Sequence, residues 1–280
     1  MTAILLALGT SLSWGLTNYL GGLQARRIAL LSMLLVMQAA GFVTIALVVG
    51  VRGVGIPSTS SLATAAATGL VSAVALGAFF KALSLGKFSV VTPIMASGAV
   101  IPVLVSIARG ERPSTLQGVG IAAIVVGVAL AARGPTAADA RAANPRAGLV
   151  YALVAVVLIG IVLIGLDEAA DADPYWAVFA LRAATITALV ATAVALRHRP
   201  RIGRDSVAAL ILVGILDITG FILLAVATTK GFFSIVAVLG SLYPVVVIAL
   251  AWSHLGERLI PFQWVGVALT LAGVAMIVTG

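Results

Sequence analysis

"GERPSTLQGVGIAAIVVGVA" (Gly110–Ala129) and "GERLIPFQWVGVALTLAGVA" (Gly256–Ala275) lie 146 residues apart, and ten of their twenty aligned positions are identical. A chain rich in Ala, Val and Gly matches itself by chance at several such positions. Chance does not align Gly110, Glu111, Arg112 and Gln117 with Gly256, Glu257, Arg258 and Gln263 in one register. The two stretches are copies, and the chain is an internal duplication.

Outward from the copies, the chain reads as runs of apolar residues broken by short polar connections. Of its 280 residues 62% are hydrophobic and 9% charged, with a mean hydropathy of +1.21. Soluble domains carry about 25% charged residues, so most of this surface must face lipid. The stretches are continuous rather than alternating, which favours helices over a membrane β-barrel. With ~20 apolar residues needed per crossing, ten spans fall near 3–22, 28–51, 61–81, 88–108, 115–132, 147–166, 175–196, 206–228, 231–253 and 262–279. The expected fold is an all-α integral membrane protein.

The longest polar connection lies mid-chain. It divides a first five-helix repeat (1–132) from a second (147–280), with a linker over 133–146. Five crossings per repeat is an odd number, so the second repeat starts on the opposite side of the bilayer. The halves are then inverted repeats about a pseudo-twofold axis in the membrane plane, a plan that recurs in transporters with midplane sites.

Composition excludes much else. There is no cysteine, hence no disulfide and no thiolate chemistry. The net charge of +8 sits mostly in short loops, where it sets topology rather than binding nucleic acid. His198 and His254 form no metal-ligand spacing. Gly118 and Gly120 lie inside a span without a preceding strand, and the acidic run before Pro174 lacks the glycine and terminal glutamate of a calcium loop. The start of the chain has no basic region of a cleavable signal, so the first helix is expected to remain.

Candidate site residues are the polar groups left inside spans. Asp217 is central in the eighth span, about 11 residues from either end. A carboxylate there costs ~2.5–3.5 kcal/mol on insertion scales unless it meets a partner or a polar cavity. Arg182 in the seventh span is the natural partner. In antiparallel spans it lies ~10 Å and Asp217 ~16 Å from the same surface, a gap an extended guanidinium bridges. Two readings stand: a lock on the bundle, or a site where Asp217 takes a cationic group or a proton in competition with Arg182. At a spacing of 145, one less than at the Gly-Glu-Arg copies, the repeat sets Ser72 opposite Asp217, and Met37 beside Gln38 opposite Arg182, so both charges break the internal symmetry. In the first span Ser11, Trp14 and Asn18 share one face, with Thr17 and Gly21 nearby. Asn18 and Gln38 offer uncharged hydrogen bonds to substrate or between helices. Pro93, Pro102 and Pro244 interrupt the fourth and ninth spans as kinks or hinges. Gly69, Ala73 and Gly77 are read as a packing face. The Gly-Glu-Arg copies are read as surface turns whose charges cap helix ends.

Ser234–Ile277 carries a mid-span proline, a Gly-Glu turn and a Gln- and Gly-bearing last helix, and Ser89–Leu130 is its weaker copy. The pair resembles the drug/metabolite transporter superfamily, EamA type. That resemblance implies a ten-helix exporter or importer of small metabolites, without nucleotide or prosthetic group, and does not fix the substrate. The expected function is secondary transport of a small polar or amphipathic metabolite, amino acid-like or similar, with export the direction that recurs in the family. The resemblance adds Tyr243, beside Pro244, as cavity-facing. The expected substrate-binding set is Trp14, Asn18, Gln38, Arg182, Asp217 and Tyr243, with no catalytic, cofactor or metal residues and with proton or ion coupling open at Asp217. Expected partners are a small-molecule substrate and the bilayer, with no nucleic acid, as a monomer or homodimer. The alternative is a lipid or amphiphile flippase, or a membrane enzyme. Connections after odd-numbered spans hold 12 Lys and Arg and those after even-numbered spans four. The positive-inside rule then puts both termini outside a cell membrane.

Overall fold

The computed structural model describes residues 1–25, 27–85, 100–131, 145–255 and 261–279. The described residues form helices α1 (Thr2–Ala25), α2 (Leu30–Arg52), α3 (Thr59–Leu85), α4 (Val100–Ala108), α5 (Thr115–Ala131), α6 (Pro145–Ala170), α7 (Pro174–Ala195), α8 (Arg204–Thr228), α9 (Phe233–Gly240), α10 (Tyr243–Leu255) and α11 (Pro261–Thr279). No strand occurs among them. Helices α9 and α10 are the two parts of the ninth span, so the eleven described helices correspond to the ten expected spans.

Helices α2, α3, α6, α7 and α8 are each long and apolar enough on their own to cross a bilayer. The 24-residue α1 is equally long but inside out. Its Thr10, Ser11, Ser13 and Thr17 are buried while Leu5, Leu12 and Leu23 face outward. Water would reverse that arrangement; lipid enforces it, because each polar group away from hydrocarbon avoids a desolvation cost.

Two helices run past the apolar segments that define them in sequence. The third continues past Lys81 to Leu85, and the sixth continues to Ala170 and takes in Asp167 and Glu168. Beyond the hydrocarbon the helical hydrogen bonds still form, so charge marks the edge of the membrane rather than the end of the helix.

The halves interleave rather than stack. Helix α1 lies along α8 and α6 along α3, while α2 lies along α7 and α5 along α11. Each contact is either its own image or one of an image pair, as an inverted repeat requires. The sequence copies meet at the α5–α11 crossing. A Cβ on Gly127 would come within 2.8 Å of the Gly266 carbonyl, and one on its repeat mate Gly273 within 2.7 Å of the Gly120 carbonyl. Glycine is retained in both copies because the backbones touch there.

A second image pair surrounds the centre. Added side chains would drive Gly69 into the Leu181 carbonyl and Gly214 into that of Met37. Gly69 and the buried Ala73 therefore pack as expected, whereas a Cβ on Gly77 meets nothing within 4 Å, so Gly77 is not part of that face.

The Glu111 turn also has its role. Glu111 accepts hydrogen bonds from Phe233 N (2.7 Å), Ser234 N (3.1 Å) and Ser234 Oγ (2.6 Å). A carboxylate of the first half thus caps the first turn of α9 in the second half, satisfying backbone donors that no side chain of α9 reaches. Arg112 is exposed. Glu257, Arg258 and Pro93 lie outside the described residues.

Candidate functional site

Asp217 and Arg182 are positioned by close backbone approach. Gly41 on α2 lets that helix press against α7 and α8: a Cβ there would come 3.2 Å from the Gly214 carbonyl and 3.7 Å from Arg182 Nε. In the space so enclosed, Arg182 Nη2 donates to Asp217 Oδ2 at 2.9 Å. Arg182 is fully buried, and its guanidinium also lies 5.0 Å from the Phe221 ring centroid. The ion pair expected from depth in the bilayer is present.

Its hydrogen bonding is incomplete. Arg182 Nε and Nη1 have no acceptor among the described residues. The Gln38 amide faces Asp217 without closing a hydrogen bond to it, and neither end of the amide finds another partner. Ser11 Oγ, Thr17 Oγ1 and Trp14 Nε1 are likewise buried without partners. By contrast, Ser13 Oγ donates to the Leu216 carbonyl at 2.6 Å and Thr10 Oγ1 to that of Gly220 at 3.3 Å. These two bonds seat α1 against α8. Most buried polar groups in folded proteins are satisfied, so this concentration of spare donors and acceptors marks the centre of the molecule.

Beside the ion pair lies a cavity that admits water-sized molecules over about 80 Å³, enough for several waters or part of a small organic molecule. Asp217 supplies its charge. Trp14, Phe79, Phe80, Phe221 and Tyr243 supply aromatic walls, and Asn18, Ser72 and Ser241 uncharged polar groups. Trp14 packs edge-on to Phe221 at 5.3 Å and lies over Gly220, where a Cβ would strike the indole. Ser241 and Tyr243 reach the wall because the ninth span breaks there. Pro244 has no N–H for the Gly240 carbonyl, and α9 stops at Gly240 before α10 begins at Tyr243.

Of the six residues expected from sequence, Trp14, Asn18, Asp217 and Tyr243 line this cavity. Arg182 is joined to it through Asp217. Gln38 is fully buried and does not line it. Phe79, Phe80, Phe221 and Ser241 were not singled out. Phe221 was within reach, one helical turn after Asp217 and hence on its face. Phe79 and Phe80 had no such marker, because aromatic residues in a span are usually lipid- or core-facing.

The geometry agrees with comparisons to known proteins. A solved structure titled only "Crystal structure of protein" matches over 99% of this chain and 98% of its own, with a TM-score of 0.78 at 18% identity, and so shares the fold. No curated protein matched the sequence. The model of the EamA-like transporter family matches residues 1–133 and again 146–279. With both halves matched, the chain belongs to the EamA-like transporter family.

Proposed function

We propose that this chain, which by its family is a membrane transporter of small molecules, exports a small amphipathic metabolite bearing an ammonium group, by alternating access of the cavity between its halves. The observation that carries this reading is the position of Asp217. It is a carboxylate at mid-depth, on the wall of an aromatic cavity, whose protein partner offers a single hydrogen bond.

A substrate ammonium entering the cavity competes with Arg182 for Asp217, while its apolar body lies against Trp14, Phe79 and Tyr243, a favourable setting for a cation as well. When the substrate leaves, Arg182 recovers the carboxylate and the charge is never stranded in low dielectric. A proton can occupy the same place, which is the simplest route to coupling. Asn18 and Trp14 Nε1 orient the remaining polar groups. The orientation that goes with this reading has both termini outside, as the loop charges favour.

The test is uptake into proteoliposomes of amines, amino acids and carboxylates of similar size, with wild type, Asp217→Asn and the double variant Arg182→Leu with Asp217→Leu. Ammonium-bearing substrates should be carried by wild type alone. Transport by the double variant would reduce the pair to a structural lock and end the proposal.

A further inference from the structure

The face holding the N-terminus has two cations in ion pairs, Arg52 and Arg109, and two, Arg112 and Lys230, in none among the described residues. Arg52 pairs with Asp173 at 3.1 Å, and Arg109 lies 3.4 Å from Glu168. On the other face, Arg27, Lys81, Arg197, Arg199, Arg201 and Arg204 enter none of the ion pairs among the described residues. The acidic residue described there, Asp205, neutralises none of them.

Three of this face's residues, Arg197, His198 and Arg199, form the mouth of a second cavity, of about 440 Å³, at the ends of α2 and α7. Its floor is apolar: Leu35 from α2 and Val190, Ala193 and Val194 from α7. Val190, Val194 and the adjacent Leu196 are exposed, so the floor runs on into the lipid-facing surface. The Ser32 hydroxyl and His198 Nε2 share a 2.8 Å hydrogen bond, which fixes the mouth to α2.

The turn that builds the mouth uses an unexpected residue. Helix α7 closes with His198 N donating to the Ala193 carbonyl (2.8 Å) and Arg197 N to that of Val194 (3.0 Å). That pair of bonds requires a left-handed residue after the helix, where glycine is usual. Here it is Arg197, with φ 49°. Arginine in place of glycine works against folding, and such strain is a pointer to function when other observations agree.

We propose that this groove is a binding site for an anionic glycerophospholipid, with the phosphodiester between Arg197 and Arg199 and an acyl chain along Leu35, Val190 and Val194. A free anion would not need the apolar floor, and a zwitterionic lipid would not need the unpaired arginines. A basic pocket between helix ends at the membrane surface is the setting in which acidic headgroups are held.

The test is native mass spectrometry of the purified full chain titrated with phosphatidylglycerol or phosphatidylcholine, with melting temperature measured alongside. Wild type should prefer phosphatidylglycerol. Arg197→Gly should weaken that lipid about fivefold, the factor for one elementary charge near an anionic bilayer surface, while leaving the melting temperature equal or higher, since glycine suits the left-handed position. Val190→Trp, which keeps every charge and fills the floor, should weaken it as well. Arg112→Gln, on the opposite face, should not. Equal affinity for the two lipids, or full phosphatidylglycerol binding by both Arg197→Gly and Val190→Trp, overturns the proposal. Displacement of the lipid by millimolar glycerol phosphate overturns it too, because the site would then be one for a free anion.

Discussion

Asp217 and Ser72 occupy equivalent positions in the two repeats and line the same cavity. Both halves thus contribute to the cavity wall, and the exchange of a hydroxyl for a carboxylate makes that wall asymmetric. Each half approaches the cavity with a similar scaffold, but one half carries the charge. A duplicated protein can recognise an asymmetric molecule only through such a difference.

The Arg182–Asp217 pair separates stability from activity. Asp217→Asn leaves a buried guanidinium uncompensated and should destabilise the protein by about 3–5 kcal/mol, whereas replacing both residues by leucine should recover most of that loss. Melting curves in detergent should show the double variant near wild type. Transport should be absent in both variants.

At the α5–α11 crossing, Gly127→Ala and Gly273→Ala should each destabilise, since the new methyl meets a backbone carbonyl under 3 Å away. Gly77→Ala, with open space around it, should instead stabilise by up to ~1 kcal/mol through helix propensity. Equal effects at the three sites in thermal unfolding would contradict the packing described.

Glu111 and Ser234 should be energetically coupled. A double-mutant cycle of Glu111→Ala and Ser234→Ala is expected to give an interaction energy of about 1–2 kcal/mol, the range for a hydrogen bond to a charged group. Arg112→Ala, at the next residue of the same turn but exposed, should change stability by less than ~0.5 kcal/mol.

Because the chain has no cysteine, topology can be read with single introduced thiols. A cysteine at Ala172, in the exposed turn between α6 and α7, should react with an impermeant maleimide in intact cells. One at Gly203, before α8, should react only after lysis. The reverse pattern would put the arginine-rich face outside and refute the orientation drawn from loop charges.

Much of the architecture was legible before any coordinates. Hydropathy marked the spans, the Gly-Glu-Arg copies revealed the duplication, and Asp217 and Arg182 stood out because charge in a span needs a reason. The helix ends were less legible: α3 runs on past Lys81 to Leu85, and Asp167 and Glu168 in α6 are helical although charged, since leaving hydrocarbon does not end hydrogen bonding. The polarity of Gln38 suggests a cavity residue, but it is buried off the cavity wall. Phe79 and Phe80 were missed because nothing local distinguishes an aromatic ring on a cavity from one facing lipid.

By itself, then, the sequence determined the solvent, the repeat, the odd number of spans and hence the inversion. These depend on the composition and periodicity of contiguous residues. Only the tertiary structure decided which faces meet: that Gly127 and Gly273 touch opposing backbones, that Glu111 caps a helix 122 residues away, and that Trp14, Asn18, Asp217 and Tyr243 share one cavity while Gln38 does not. Those relationships follow from helix crossing and rotation. Both are set by how surfaces distant in sequence fit together, and no local pattern records that fit.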